Sequence, residues 1–210
     1  MEKEFKKSLK KRASDLGIVL DSTQLQQFAA YNRELERWNR NINLVSRKKH
    51  DWIRIHFLDS LVPLGMGLLE GFETVVDLGA GAGFPGLVLK IGSPGLEVYL
   101  VEASGKKCTF LRHIIRTLEI TGAQVLEGRF EEFAVGRAGE FDLAVSRASA
   151  KPHLILESAG PLLREGGRTL IYTTEDLIDK TTGEAHPYRI PGSPREWVIW
   201  EVSKGGSSTG

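Results

Sequence analysis

The sequence predicts an α/β fold, a mostly parallel sheet with helices on both faces, preceded by N-terminal helices. From Thr74 onward, short apolar runs rich in β-branched residues alternate with helical segments at the spacing of strand–helix–strand crossovers. The first of those runs ends in a glycine-rich turn, Gly79-Ala80-Gly81-Ala82-Gly83, that leads into a helix. Ahead of it, apolar residues recur at helical spacing and no good strand intervenes.

Phe5, Leu9, Ala13 and Leu16 mark a short amphipathic helix that Gly17 stops. Thr23 with Gln26 reads as a capping box ahead of Leu25, Phe28, Ala29, Leu35 and Trp38 on a longer second helix. A third helix is expected over about 49–61, with Ser46 near its start. Strands are predicted at 75–78, 97–101, 123–126, 141–145, 168–172 and 197–202, with helices near 85–91, 106–118 and 153–163 between them. No long helix precedes the last strand, only Pro187, Pro191 and Pro194, so it either keeps the parallel order or returns antiparallel through a hairpin. The chain thus divides into an N-terminal helical segment packed on the core (1–73), an α/β core (74–203) and a flexible Gly/Ser tail (204–210).

With 210 residues, 41% of them hydrophobic and 26% charged, the composition suits one core and excludes disorder or a fibrous repeat. No run approaches the roughly 20 apolar residues of a membrane helix. The charged N-terminus has no apolar leader behind it, so a cytoplasmic protein without membrane attachment is expected. The single cysteine, Cys108, excludes an internal disulfide or a Cys-cluster metal site, and packing is its expected role. The net charge of +1 conceals an asymmetry: residues 1–54 carry +6 and the remainder −5. A positive segment suits a polyanion, or is simply a solvated helix face.

Gly81, Gly83 and Gly86 formally satisfy the dinucleotide pattern G-x-G-x-x-G, but the register differs. There the first glycine follows the strand directly, whereas here Asp77 ends the strand and the turn begins at Gly79, giving D-x-G-x-G-x-G. Glu102 closes the next strand, 23 residues beyond Gly79. A carboxylate there can accept hydrogen bonds from both ribose hydroxyls, which indicates a nucleoside without saying which one.

The D-x-G-x-G-x-G pattern resembles the first motif of class I S-adenosylmethionine-dependent methyltransferases, whose sheet is Rossmann-like. Over roughly residues 25–172 the chain resembles a narrower family, the bacterial 16S ribosomal RNA guanine-N7 methyltransferases (RsmG, glucose-inhibited division protein B). The shared elements are Trp38-Asn39 with Asn43-Leu44, His56-Phe57-Leu58-Asp59-Ser60, Phe84-Pro85-Gly86, Ser104-Gly105-Lys106-Lys107, Gly128-Arg129-Phe130-Glu131-Glu132 and Val145-Ser146-Arg147-Ala148. The resemblance implies S-adenosylmethionine as cofactor, with small-subunit ribosomal RNA or the ribosomal particle as partner; a monomer without metal is expected. It implies that Gly79 and Phe84 border the methionine and adenosine parts, with Asp77 and Gly81 in the same set. Glu102, Ala103 and Ser104 would meet ribose and adenine, and Phe130 and Glu131 the adenine end. Arg147 would sit at the cofactor's edge beside the substrate, and Arg129 would be needed for activity. The chain departs from the family after Thr174, where only a short stretch, 175–186, replaces a long helix, although Tyr188-Arg189-Ile190-Pro191-Gly192 is similar to the family's late strand.

Methyl transfer from a sulfonium is an in-line displacement, so holding the reacting atoms in line is the main requirement. Guanine N7 offers a lone pair without a proton and needs no general base. Ser146-Arg147-Ala148 agrees, since amino-group methyltransferases carry Asn/Asp-Pro-Pro-aromatic at that place. The five histidines, His50, His56, His113, His153 and His186, show no metal-ligand spacing. His56 and Asp59, one helical turn apart, suit either a bonded pair at the cofactor mouth or a structural cap; Asn39 and Asn43 suit either function or helix packing. Arg33, Arg37, Arg40, Arg47, Lys48, Lys49 and Arg54, with Lys106, Lys107, Arg112 and Arg116, could contact RNA phosphates. The N-terminal helices are expected to do so independently of the cofactor site. Two other readings stand beside this one: a nicotinamide-dependent oxidoreductase on a similar sheet, and a non-catalytic RNA-binding assembly factor.

Overall fold

Strands buried on both faces need apolar cover on two sides, and successive residues here feed two separate cores. The computed structural model describes residues 2–46, 53–133, 136–147, 151–179 and 181–205. In β1 (Thr74–Leu78), Val75 enters one apolar cluster while Val76 and Leu78 enter the other. In β2 (Glu97–Glu102), Val98 and Leu100 point to the first and Val101 to the second. With β3 (Ala123–Glu127), β4 (Phe141–Arg147), β5 (Leu163–Thr173), β6 (Glu184–Arg189) and β7 (Glu196–Ser203), they form one sheet of order β3-β2-β1-β4-β5-β7-β6. All neighbours pair in parallel except β7, which runs antiparallel to both β5 and β6. Chain order reverses between β1 and β4, which opens a crevice at the strands' carboxyl ends.

The first core lies under the N-terminal helices. Leu9 of α1 (Glu2–Ser14) and Phe28, Tyr31 and Leu35 of α2 (Ser22–Trp38) share it with Phe57 and Leu58 from a π-helical segment (Ile53–Leu58). Leu61 of α3 (Asp59–Gly65), Leu87 of α4 (Gly86–Gly92) and Phe110 and Leu111 of α5 (Gly105–Thr117) complete it. The second core is covered by α7 (Pro152–Leu162) through Ile155, Ala159 and Leu162, with the short α6 (Phe130–Phe133) following β3. Among the described residues no helix is long and apolar enough to cross a membrane.

Several elements differ from expectation. The capping box of α2 is formed by Asp21 and Gln24, not by Thr23 and Gln26. Asp21 Oδ1 accepts from the Gln24 amide at 2.8 Å and Gln24 Oε1 accepts from the Asp21 amide at 2.9 Å. Gln24 Nε2 also donates to the carbonyls of Ile91 and Gly92, both at 2.9 Å, so a tertiary contact at the end of α4 favours the earlier cap. The third helical stretch has π geometry over Ile53–Leu58 and continues as α3 through Pro63; residues 47–52, around its expected start, lie outside the described residues. β6 starts earlier than the late strand expected from the resemblance at 188–192; it is an edge strand, where Pro187 lacks an N–H that the sheet does not need, and it forms with β7 an antiparallel hairpin, one of the two expected arrangements. Lys204, the first residue of the expected tail, bonds back to the Gly167 and Leu163 carbonyls; 206–210 lie outside the described residues.

Asp21→Ala should therefore destabilise the fold by about 1 kcal/mol in urea titration. The exposed Thr23→Ala should stay within about 0.5 kcal/mol of the parent, and the reverse ranking would return the cap to Thr23.

Candidate active site

The turn after β1 is held from behind by bonds that leave its other side open. The amides of Gly79 and Ala80 donate to the Val101 carbonyl at 3.0 and 2.9 Å, and the Gly81 amide donates to Glu102 Oε2 at 2.8 Å. The Tyr31 hydroxyl of α2 donates to the Ala82 carbonyl, and the Gly86 amide donates to Asp77 Oδ2 at 2.7 Å. Gly81 has φ +60°, and a Cβ placed there would meet nothing nearer than the Gly79 carbonyl oxygen at 3.9 Å. Its missing side chain thus leaves backbone facing open space. At Gly86 a Cβ would lie 2.7 Å from Asp77 Cβ and 2.8 Å from Leu100 Cδ2, so this glycine lets α4 start against the sheet.

A cavity of about 610 Å³ opens over the turn. Gly79, Gly81, Phe84, Glu102, Ala103, Arg129 and Arg147 all line it. Asp77 does not; it is fully buried beneath the turn. Ser104 contributes through its amide, which donates to Glu102 Oε1 at 2.9 Å. Phe130 and Glu131 open α6, and their side chains lie outside the described residues, as do Arg47, Lys48, Lys49 and the Arg54 side chain.

Leu44, Val45 and Lys107 also line the cavity and were not singled out for it from the sequence. Asn39, buried at the end of α2, explains two of them: its Oδ1 accepts from the Leu44 and Val45 amides at 2.9 and 3.0 Å, and its Nδ2 donates to the Val45 carbonyl at 3.1 Å. Asn43 is exposed. Through Leu44 and Val45 the N-terminal segment thus forms part of the cavity's wall. Among its basic residues, Arg33 pairs with Glu2 and Arg37 with Glu34.

At the end of β4, Arg147 donates from Nη1 to Asp59 Oδ2 at 2.9 Å, and its Nη2 lies 3.3 Å from His56 Nδ1. Its guanidinium sits 5.3 Å from the centre of the Phe84 ring, which Tyr31 and His56 also stack against at 5.6 and 5.0 Å. His56 and Asp59 therefore meet through Arg147 at the mouth. Arg129 is an exposed residue of the rim. Burial pushes the Asp77 carboxyl up to about 7; the Gly86 amide and Arg147 offset this in part, and the Glu102 charge adds to it. Away from the turn, β6 and β7 gather Glu184, His186 and Glu201. Glu201 there pairs with Arg168 at 2.6 Å and His186 at 2.7 Å, so its two oxygens are already engaged.

A family model described as GidB, rRNA small subunit methyltransferase G, matches residues 24–190. The Ribosomal RNA small subunit methyltransferase G of Dictyoglomus thermophilum is 37% identical over 202 residues, 95% of this chain and 84% of that protein. Among solved structures, a precorrin-6y C5,15-methyltransferase from Geobacter metallireducens superposes with TM-score 0.57 at 15% identity, covering 77% of this chain and 94% of that one. M. jannaschii TYW2 in complex with AdoMet gives TM-score 0.50 at 17% identity, covering 62% and 67%. At those identities the two structures share the fold.

A proton held by folded Asp77 up to about pH 7, against an ordinary value of 3.8, means that the folded state binds more protons than the unfolded chain between those limits. Stability from this group falls as pH rises through that window, by up to about 1.4 kcal/mol per unit. Asp77→Asn keeps an acceptor for Gly86 and should lose this slope. Urea midpoints at pH 5 and 7.5 test it: equal pH dependence in parent and variant would remove Asp77 as the cause.

Proposed function

The chain belongs to the GidB family of small-subunit ribosomal RNA methyltransferases G, and from that membership we propose that it transfers the methyl group of S-adenosylmethionine to N7 of a guanine in that RNA. The observation that carries the proposal is the meeting, on one cavity at the strand-order reversal, of an open glycine turn, the Glu102 carboxylate and Arg147.

The residues present fit such a cofactor. A cavity of about 610 Å³ lies within the range for nucleoside-sized ligands. The open face of Gly81 admits a ligand against the backbone, and Glu102 keeps acceptor capacity after binding two amides, since a carboxylate has about four lone-pair sites. S-adenosylmethionine, when bound, supplies an electrophilic methyl on a sulfonium. Gly79, Gly81, Phe84, Glu102, Ala103 and the edge of Arg147 would hold it, with Asp77 and Ser104 shaping the turn and the carboxylate from behind. Phe130 and Glu131 join the set through the family resemblance. Arg129 and Arg147 would face the RNA and orient the base.

At the end of β4 the side chains of Ser146, Asp59 and His56 are each engaged with a neighbour, His56 through Nδ1 3.3 Å from Arg147 Nη2, which suits a nucleophile without a proton. The Ser146 hydroxyl donates to the Leu78 carbonyl at 2.8 Å, and both Asp59 oxygens are engaged. The partner would be small-subunit ribosomal RNA, naked or in the particle, met in the cytoplasm by a monomer. The deciding experiment is transfer of labelled methyl to naked 16S RNA and to small subunits, followed by cleavage chemistry specific for 7-methylguanosine. Label at another atom, or none in either substrate, would overturn the proposal.

Gly81→Val should abolish cofactor binding in calorimetry while the protein stays folded. Glu102→Ala should weaken binding by roughly 1.5–3 kcal/mol, and a change below about threefold would count against its role. Arg129→Ala and Arg147→Ala should stay folded and lose turnover. Arg147→Lys should also be poor, because an ammonium lacks the planar fork; full activity in the two alanine variants would move both arginines out of the site.

A further inference from the structure

We propose that Asp59 and Tyr188 are positioning residues that fix the direction of the Arg147 guanidinium, coupling the C-terminal β6–β7 hairpin to the mouth of the cavity. The role of Arg147 in turnover rests on the proposed function; its positioning does not.

Three distant parts of the chain meet here. Asp59 opens α3, Arg147 ends β4 and Tyr188 lies on β6. The Tyr188 hydroxyl donates to Asp59 Oδ1 at 2.6 Å, and Arg147 Nη1 donates to Asp59 Oδ2 at 2.9 Å. Each carboxylate oxygen has its own partner, so Asp59 cannot rotate without losing one of them. The Tyr172 hydroxyl of β5 adds a bond to the Ser60 carbonyl at 3.0 Å, which holds the start of α3 against the sheet. Burial, then the Asp59 charge, pushes the Tyr188 hydroxyl well above its ordinary value, so it remains a donor.

Arg147 is a long side chain with many rotamers, and contacts such as those with the Phe84 face and with His56 Nδ1 at 3.3 Å do not fix a direction as a short ionic bond does. A mostly buried ion pair is a poor stability device compared with apolar packing of the same volume. Arg147 lines the cavity while its anchor lies behind it, with side chains 17% and 13% exposed. That arrangement aims a guanidinium. The hairpin that supplies Tyr188 follows the short stretch after Thr174, so the shortened segment still delivers a hydroxyl to the mouth.

The test is Tyr188→Phe, with Asp59→Asn as a second variant, in the full-length protein. Turnover on 16S RNA, cofactor affinity by calorimetry and NMR signals of the Arg147 guanidinium, assigned by their loss in Arg147→Ala, are measured together. Tyr188→Phe should lower kcat by about tenfold, the scale of a small misplacement, with cofactor affinity within about twofold. The Arg147 Nη signals should pass from resolved to averaged, and Asp59→Asn should do the same more strongly. Unchanged kcat, or a fall in kcat with unchanged guanidinium signals, overturns the positioning role. If the parent protein transfers no methyl, the proposed function fails, and the guanidinium signals alone decide the positioning.

Discussion

The turn after β1 has to leave the sheet edge without folding over its own exit, and much of the surrounding structure serves that constraint. Its amides are drawn backward by the Val101 carbonyl and the Glu102 carboxylate, its Ala82 carbonyl by Tyr31, and the helix that follows it by Asp77. These partners come from β2, α2 and β1, so the turn keeps its form only when sheet and N-terminal helices are assembled together. Because each bond approaches from the protein side, the opposite side of the backbone stays open. Glu102 thus acts before any ligand arrives, as the strut of the turn.

That assembly has an electrostatic consequence. Asp77 reaches Gly86 with one oxygen, while its other oxygen is buried without a hydrogen-bond partner. A charge in that setting is disfavoured, which is the origin of its raised titration. A larger residue at position 86 could not approach the strand, and a shorter acid at 77 does not exist. The pair therefore trades some stability for a helix start pressed against the turn.

Much of this was legible because it is local. Short apolar runs rich in β-branched residues mark β1 and β2, the glycine spacing marks the turn, and the last residues of strands, Glu102 and Arg147, stand where a crevice opens at the reversal of strand order. Other features depend on partners far along the chain. Two capping patterns overlap at 21–26, and only the bonds from Gln24 to the end of α4 distinguish them. β6 contains a proline and an uneven apolar pattern, and becomes a strand because β7 has an open edge to pair with. Tyr188 and Asp59 are 129 residues apart, and no spacing rule connects them. Asn39 stands out by its spacing from Asn43 and by the family resemblance, but its effect is exerted through the Leu44 and Val45 backbone, which neither signal specifies.

The mouth also shows what kind of catalysis its residues can support. A nucleophile that must lose a proton needs an acceptor near the end of β4, yet Ser146 is turned inward to Leu78, Asp59 is shared between Arg147 and Tyr188, and His56 turns its Nδ1 to Arg147 at 3.3 Å. Recruiting Asp59 as a base would require breaking the ion pair and the phenol bond together, leaving Arg147 partly buried without its counter-charge, a loss of several kcal/mol. A nucleophile with a ready lone pair makes no such demand. It needs a held electrophile and an oriented base, and an arginine braced on an aromatic ring and tied at one end by a carboxylate supplies orientation without competing for a proton. The same bonds that make Asp59 unavailable as a base are those that aim Arg147, so proton abstraction and guanidinium positioning are mutually exclusive uses of this carboxylate.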